Sequence, residues 1–481
     1  MPVRELCGTA VDAALAAGAE YADARAILRR TQDIATKNGE VESIADGESE
    51  GIGVRVLVGG AWGFACDRRL LDSGAKEAAA RATEFARASA SRTRRPVVLA
   101  PVSAEPGEYR TSFERDPIDV PLEEKIELLL RADASLRHAD ITITQAAARA
   151  SREQRAFRSS EGADVFQEFV ECGAGLEALA TADGAVQIRS YPSSHGGSSA
   201  QAGWEYVERL ALDEHGPRIA EEAAALLRAD PCPQKVTTVV IDSEQMQLQV
   251  HESVGHPTEL DRIYGTEAAY AGTSFLKPED LGSLRYGSEL MNITADSTTP
   301  LGLGTFGYDD EGVPARRTPI VSAGILEGFL DSRETASLLG EGGGGSMRAD
   351  GWSRMPLVRM TNLHLEPGEG TLDDLLADVD DGILLGTNKS WSIDDKRLNF
   401  QFGTQVAWEI KKGKRGRLFR DATYMGVTPE FWGSLDGVAG KEEWTMGGLT
   451  NCGKGQPGQS AHVSHGAPPA RFRHVRVGIR S

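Results

Sequence analysis

At 481 residues the chain is long enough for two or three domains, each burying a core of its own. Its 52 Lys and Arg against 71 Asp and Glu leave a formal charge of −19, a poor balance for gripping nucleic-acid phosphates or docking on anionic lipid. No apolar run reaches the ~18–20 residues that span a bilayer, and no signal-like segment follows Met1-Pro2-Val3. The five scattered cysteines (Cys7, Cys66, Cys172, Cys232 and Cys452) read as reduced thiols, so the expectation is a cytoplasmic protein off the membrane.

Residues 4–17 predict a helix with Leu6, Val11, Ala14 and Leu15 on one face. Residues 21–66 read as a β-meander, with Asn38-Gly39 as a hairpin turn and Gly59-Gly60 turning the strand at 51–58. Residues 70–90 form an alanine-rich amphipathic helix, and the five prolines of 92–121 mark a surface connector. A helix at 122–136 precedes a second meander over 141–150, 154–160, 165–180 and 185–191, then helices near 204–210 and 219–227. Helix, meander, helix thus occurs twice, which fits either an internal duplication or two unrelated pieces.

Pro231-Cys232-Pro233 marks the domain boundary. The fold class expected is α+β. An N-terminal α+β domain (1–230) is expected, with meanders and flanking helices. A C-terminal antiparallel β-rich domain (235–481) is expected to follow, with long loops around one helix. The β-branched run at 235–241 predicts a buried strand, and Asp242 caps the next helix with Gln245 as its reciprocal partner. Beyond 281 the pattern is strand-rich, with glycine-rich loops at 302–312 and 341–351 and a turn at Asp309-Asp310 beside Gly312.

The capped helix carries Val250-His251-Glu252-Ser253-Val254-Gly255-His256-Pro257. Imidazole is a common transition-metal ligand, and an adjacent carboxylate can act as a base toward water. The spacing differs from H-E-x-x-H by one residue. Residues five apart point roughly 140° away from each other on a regular α-helix. Either a one-residue π-type bulge, tolerated at Gly255, aligns His251 with His256, or Glu252 and His256 form the i,i+4 ligand pair; the bulge leaves Glu252 free for chemistry and is the favoured reading. A third protein ligand is still needed. Candidates are His364, His462, His465, His474, Glu259, Asp261 and Cys452. Cys452 stands out as a thiol on what reads as a polar, glycine-rich loop.

Three segments carry a resemblance: His251-Glu252-Ser253-Val254-Gly255-His256 with Glu259 and Asp261, Tyr308-Asp309-Asp310-Glu311-Gly312, and Asn451-Cys452-Gly453-Lys454-Gly455-Gln456. Phe400-Gln401-Phe402-Gly403 and Tyr21-Ala22-Asp23 add to it. The chain resembles the TldD/PmbA metalloprotease family, also called modulators of DNA gyrase, in its zinc-bearing TldD-like branch. The resemblance implies a Zn2+ held by His251, His256 and Cys452, with Glu252 as general base. It implies an unfolded peptide as substrate and a dimer, including a heterodimer with a homologue that lacks the zinc motif. Tyr424, His462 and His465 are candidate transition-state donors. Two other readings stand beside zinc peptidase: a zinc hydrolase of non-peptide amides or modified peptides, and a non-catalytic regulatory or assembly partner.

Overall fold

The computed structural model describes residues 2–103, 105–194, 196–340 and 343–478. Strand outweighs helix, 42% to 24%, and both occur along the whole chain, so the fold is α+β as expected.

One eight-stranded sheet organises the N-terminal half. At its centre are two long hairpins, Tyr21–Lys37 with Glu40–Val58 and Ile141–Ser159 with Asp164–Ala182. They pair through their first strands, antiparallel from Asp23↔Ser159 to Lys37↔Gln145, so the two expected meanders are one sheet. Asn38 and Gly39 take positive φ (52° and 83°), the two-residue turn that this dipeptide favours. The helices Pro2–Ala16 and Asp72–Ala90 cover one end of the hairpins. Ala75, Ala78, Ala82 and Ala86 let the second helix lie close on the sheet. Leu122–Ser135 and Leu212–Arg228 cover the other end.

Three local expectations differ. Residues 141–150 and 154–160 are a single strand, because the intervening Ser151–Glu153 keep their register with 169–171. Their polar side chains hide the alternation and are satisfied by pairing, as in Arg152 to Glu168 and to Asp116. The connector at 92–121, in which residue 104 lies outside the described residues, contains the short strand Pro106–Arg110, parallel to 164–168. The last helix of this half begins at Leu212, upstream of the expected 219.

The C-terminal half holds an eight-stranded and a six-stranded sheet. Lys235–Ile241 is the expected buried strand, parallel to Asp381–Ile393 and antiparallel to Ala470–Val477. The helix Ser243–Val250 follows it and contacts strands of both sheets, with Met246 and Val250, and Val254 just beyond it, in the main core. This half has several short helices and not one, among them Arg333–Leu339 and Leu372–Ala377. Each is about two turns, too short for a readable period, and each is fixed by a capping box at Ser332 or Thr371. Of the expected loop at 341–351, residues 341–342 lie outside the described residues, as does Ile479, the end of a strand that the sequence pattern predicts over 471–479. No helix among the described residues is long and apolar enough to cross a membrane.

The segment Tyr308-Asp309-Asp310-Glu311-Gly312 joins the halves. Asp309 makes the expected turn: its Oδ1 accepts the N–H groups of Glu311 and Val313, both at 2.9 Å. Asp310 and Glu311 reach further. Asp310 pairs with Arg155 at 2.7 Å and Glu311 with Arg55 at 3.1 Å, while Arg55 also holds Asp23 at 2.7 Å. These groups are nearly all buried, and removing one member would strand the other charge in a medium that solvates it poorly.

Candidate metal centre

Asp242 caps the helix Ser243–Val250, its Oδ1 accepting the Gln245 N–H at 2.9 Å. The reciprocal bond expected from Gln245 is not made. Its amide donates instead to Tyr424 Oη at 2.8 Å, and Tyr424 donates to Gln249 Oε1 at 3.0 Å. Tyr424 therefore braces the helix and is not free for transition-state chemistry. Burial, and then the neighbouring Asp242, push the Glu244 carboxyl up to about 8. The folded value lies above the ordinary 4.5, so this group's contribution to stability is full at low pH and is lost as pH rises through about 8. Glu244→Gln should flatten that decline, by up to ~1.4 kcal/mol per pH unit, in denaturant titrations of metal-free protein across this window.

Past Val250 the helix changes pitch. Residues His251–Gly255 form a π-turn, in which the His256 N–H donates to His251 O, five residues back. The extra residue per turn brings both histidines to one face, their ring centroids 4.9 Å apart and their planes at 89°. Gly255 serves a purpose other than the expected backbone tolerance. Its φ is an ordinary −58°, but a Cβ there would collide with Met360 Sδ.

Cys452 completes the cluster from a strand, not the expected loop. Thr445–Lys454 pairs with Gln459–Ala467, with a register shift between Leu449 and Cys452. Cys452 Sγ lies 3.6 Å from His251 Nε2 and 3.9 Å from His256 Nε2. Zinc bonds of about 2.0 Å to nitrogen and 2.3 Å to sulfur, at a tetrahedral angle, set such atoms about 3.6 Å apart. The three donor atoms lie within 4.8 Å of one another and all three residues are buried. Burial pushes the Cys452 thiol up, but His256 and Arg359 outweigh it and the net shift is downward, toward the thiolate a metal needs. Burial, and then Arg397, hold His256 well below the usual imidazole range, in the neutral form that can ligate.

Each histidine is oriented from behind. His256 Nδ1 lies 3.0 Å from Glu259 Oε2, and His251 Nδ1 lies 2.7 Å from His465 Nε2. With both Nε2 atoms facing the thiol, each Nδ1 carries the proton and donates it. His465 is thus a support for His251, not a transition-state donor. Glu259 and Asp261, expected among possible third ligands, are outer carboxylates. Lys454 Nζ bridges them at 3.3 and 2.7 Å, from the same face of the strand that carries Cys452. Lys454→Met should lower zinc affinity ~10–100-fold, measured against a competing chelator, because it leaves two buried carboxylates without their cation.

The remaining candidates lie elsewhere. His364 Nδ1 accepts the Gly466 N–H at 2.9 Å, and burial pushes it down to about 4. His462 pairs with Glu171 at 2.6 Å, and His474 is exposed. Glu252, also buried, is no part of the three-donor cluster and accepts a hydrogen bond from Arg397 Nη1. Arg397, Lys454 and the supporting role of His465 escape sequence reasoning. The only cue was Lys454's spacing of two from Cys452, which places the two on one face of a strand once the strand is known.

Three family models match the chain. The PmbA/TldA metallopeptidase domain 1 matches residues 22–89, its central domain 115–229 and its C-terminal domain 233–479. A metalloprotease of Methanothermobacter thermautotrophicus is 32% identical over 460 residues, covering 95% of each chain. A zinc metalloprotease TldD homologue of Saccharolobus solfataricus is 25% identical over 245 residues, about half of each chain. The crystal structure of a proposed modulator of a DNA gyrase from Thermotoga maritima superposes with a TM-score of 0.77 at 18% identity, over 98% of this chain and 99% of that one, which speaks to the fold.

Proposed function

The chain belongs to the PmbA/TldD metallopeptidase family, and from that premise we propose that it is a zinc-dependent peptidase acting on unfolded peptides, with His251, His256 and Cys452 as ligands. The observation that carries the reading is the meeting of two imidazoles and a thiol, far apart in sequence, within 4.8 Å in a buried site. When bound there, zinc supplies Lewis acidity, polarising a peptide carbonyl and easing the deprotonation of water. Glu252 is the general base: it follows the first histidine, lies buried beside the donor cluster and is no part of it. It takes a proton from the attacking water and returns it to the leaving amine.

Substrate access is supported by two features. The cysteine strand is the edge of its sheet, pairing with Gln459–Ala467 alone among the described strands of that sheet. Its main chain is engaged at Gly448 by Ser198 and at Cys452 by Arg359, and between these points the edge suits an extended peptide, which it would hold by main-chain bonds with little side-chain preference. Beside Gly448–Thr450 runs a groove of about 210 Å³, walled across by Asp33–Ala35 and Ala147–Arg149 of the N-terminal sheet and by Gly196–Gly197. On this reading residues 1–230 enclose the substrate and residues 235–481 perform the chemistry, in a dimer or with a homologue lacking the zinc motif.

The test is incubation of zinc-loaded protein, alone and with such a homologue, with unstructured peptides. Fragments identified by mass spectrometry and abolished by chelation are expected. Intact peptides in every combination would sink the reading.

A further inference from the structure

Arg397 stands at the tip of the hairpin joining Asp381–Ile393 to Asn399–Lys411. The tip is fastened to the segment that follows the metal helix. Arg262 donates to Asp395 O, and the N–H groups of Thr273 and Phe275 donate to Asp395 O and Lys396 O. Arg397 has φ +60°, a left-handed conformation in which side chains other than Gly, Asn and Asp are uncommon. Its N–H donates to Asp394 O and its C=O accepts from Thr428 Oγ1, both at 2.9 Å. The backbone is thus fixed so that the side chain runs inward to the metal centre, only 15% exposed.

The guanidinium there is half used. Nη1 donates to Glu252 Oε2, but Nε is buried without a partner. A buried N–H with no acceptor is unfavourable, and an incoming oxygen would relieve it. Arg359, the other guanidinium near the cluster, also has a buried Nε without a partner, but its Nη groups are committed to the carbonyls of Gln459 and Cys452, behind the thiol.

We propose that Arg397 is the transition-state donor of this site, paired with Glu252 at rest and hydrogen-bonded to the substrate oxyanion as the peptide carbonyl is attacked. The inference rests on the peptidase reading above. As the water oxygen bonds to the carbonyl carbon, its proton passes to Glu252 and the carbonyl π pair moves onto the substrate oxygen. Negative charge leaves Glu252 and appears on the substrate, beside the same guanidinium. A fixed cation that exchanges one anion for another needs no reorganisation, and its spare N–H is engaged only in the transition state. When the oxyanion pair re-forms the carbonyl, the C–N bond breaks. The nitrogen then takes the proton from Glu252, giving an amine and a carboxylic acid, and the Arg397–Glu252 pair is restored.

The test compares Arg397→Met, Arg397→Lys and Arg397→Ala as zinc-loaded proteins on an unstructured fluorogenic peptide. A fall in kcat of ~10²–10³-fold is expected for Arg397→Met, with KM little changed and full zinc content. Added guanidinium should restore part of the activity of Arg397→Ala. Binding of a phosphinic pseudopeptide, whose tetrahedral anion mimics the oxyanion, should weaken by a factor similar to the kcat loss. Retained or increased kcat in Arg397→Met, unchanged phosphinic binding, or loss of zinc from Arg397→Lys would each overturn the proposal. Any of these leaves the peptidase reading standing. That reading fails separately if Glu252→Gln and Cys452→Ala both cleave like wild type.

Discussion

Glu252→Gln is expected to keep its zinc and to lose peptide hydrolysis by about 10²–10⁴-fold, the range for removal of a general base. The geometry separates the two effects. Glu252 lies outside the cluster of donor atoms, so its carboxylate is not needed to hold the metal. The glutamine oxygen can still accept from Arg397 Nη1, which preserves the packing of a side chain that is only 6% exposed. What the amide cannot do is take a proton from water. Zinc content by elemental analysis and turnover of a fluorogenic peptide check the two halves of the prediction. Loss of zinc would favour the other answer to the histidine spacing, with Glu252 and His256 as the ligand pair. Undiminished turnover would remove Glu252 from the mechanism.

The site was legible in the sequence where local geometry forces the issue. His251 and His256 cannot share a face of a regular α-helix, so their spacing asks for a π-turn, and the chain has one. Cys452 was legible as an odd thiol but not in its setting. Gly447, Gly448 and Gly453, with the register shift beside Cys452, erase the alternation that marks a strand. His465, Lys454 and Arg397 were out of reach because their roles exist only after distant strands pair. His465 lies on the strand next to Cys452's, and Arg397 on a hairpin of the other sheet. The fold follows the same division. The strand at 235–241 and the alanine-rich helix at 72–90 carry their own period, whereas strand Ile141–Ser159 has its pattern broken by arginines and glutamates paired across the sheet, Arg152 with Glu168 and Glu153 with Arg29. The run Asp309-Asp310-Glu311 reads locally as a turn, and its larger part, pairing with Arg155 and Arg55 of the other half, has no local signature.

Cys452→Ala is expected to remove zinc at the protein concentrations of an assay, and activity with it. Two imidazoles leave a tetrahedral ion with too few protein ligands, and the groups behind them are held in other roles. Glu259 is committed to His256 and Lys454, Asp261 to Lys454, and His465 stands behind His251 with its Nε2 engaged. The loss of affinity should therefore exceed the ~10–100-fold expected for Lys454→Met, whose ligands stay in place. Thermal unfolding with and without added zinc reads this without any substrate. Metal that binds only the folded state raises the melting temperature of wild type in proportion to the logarithm of its concentration, and that rise should vanish in Cys452→Ala. Metal-free, the two proteins should melt close together, because Ala fills most of the thiol's space in the strand and no disulfide is lost. A Cys452→Ala protein that retains stoichiometric zinc and the full zinc-dependent rise would show that the thiol is not a ligand, and the ligand set would then have to be sought around His251, Glu252 and His256 alone.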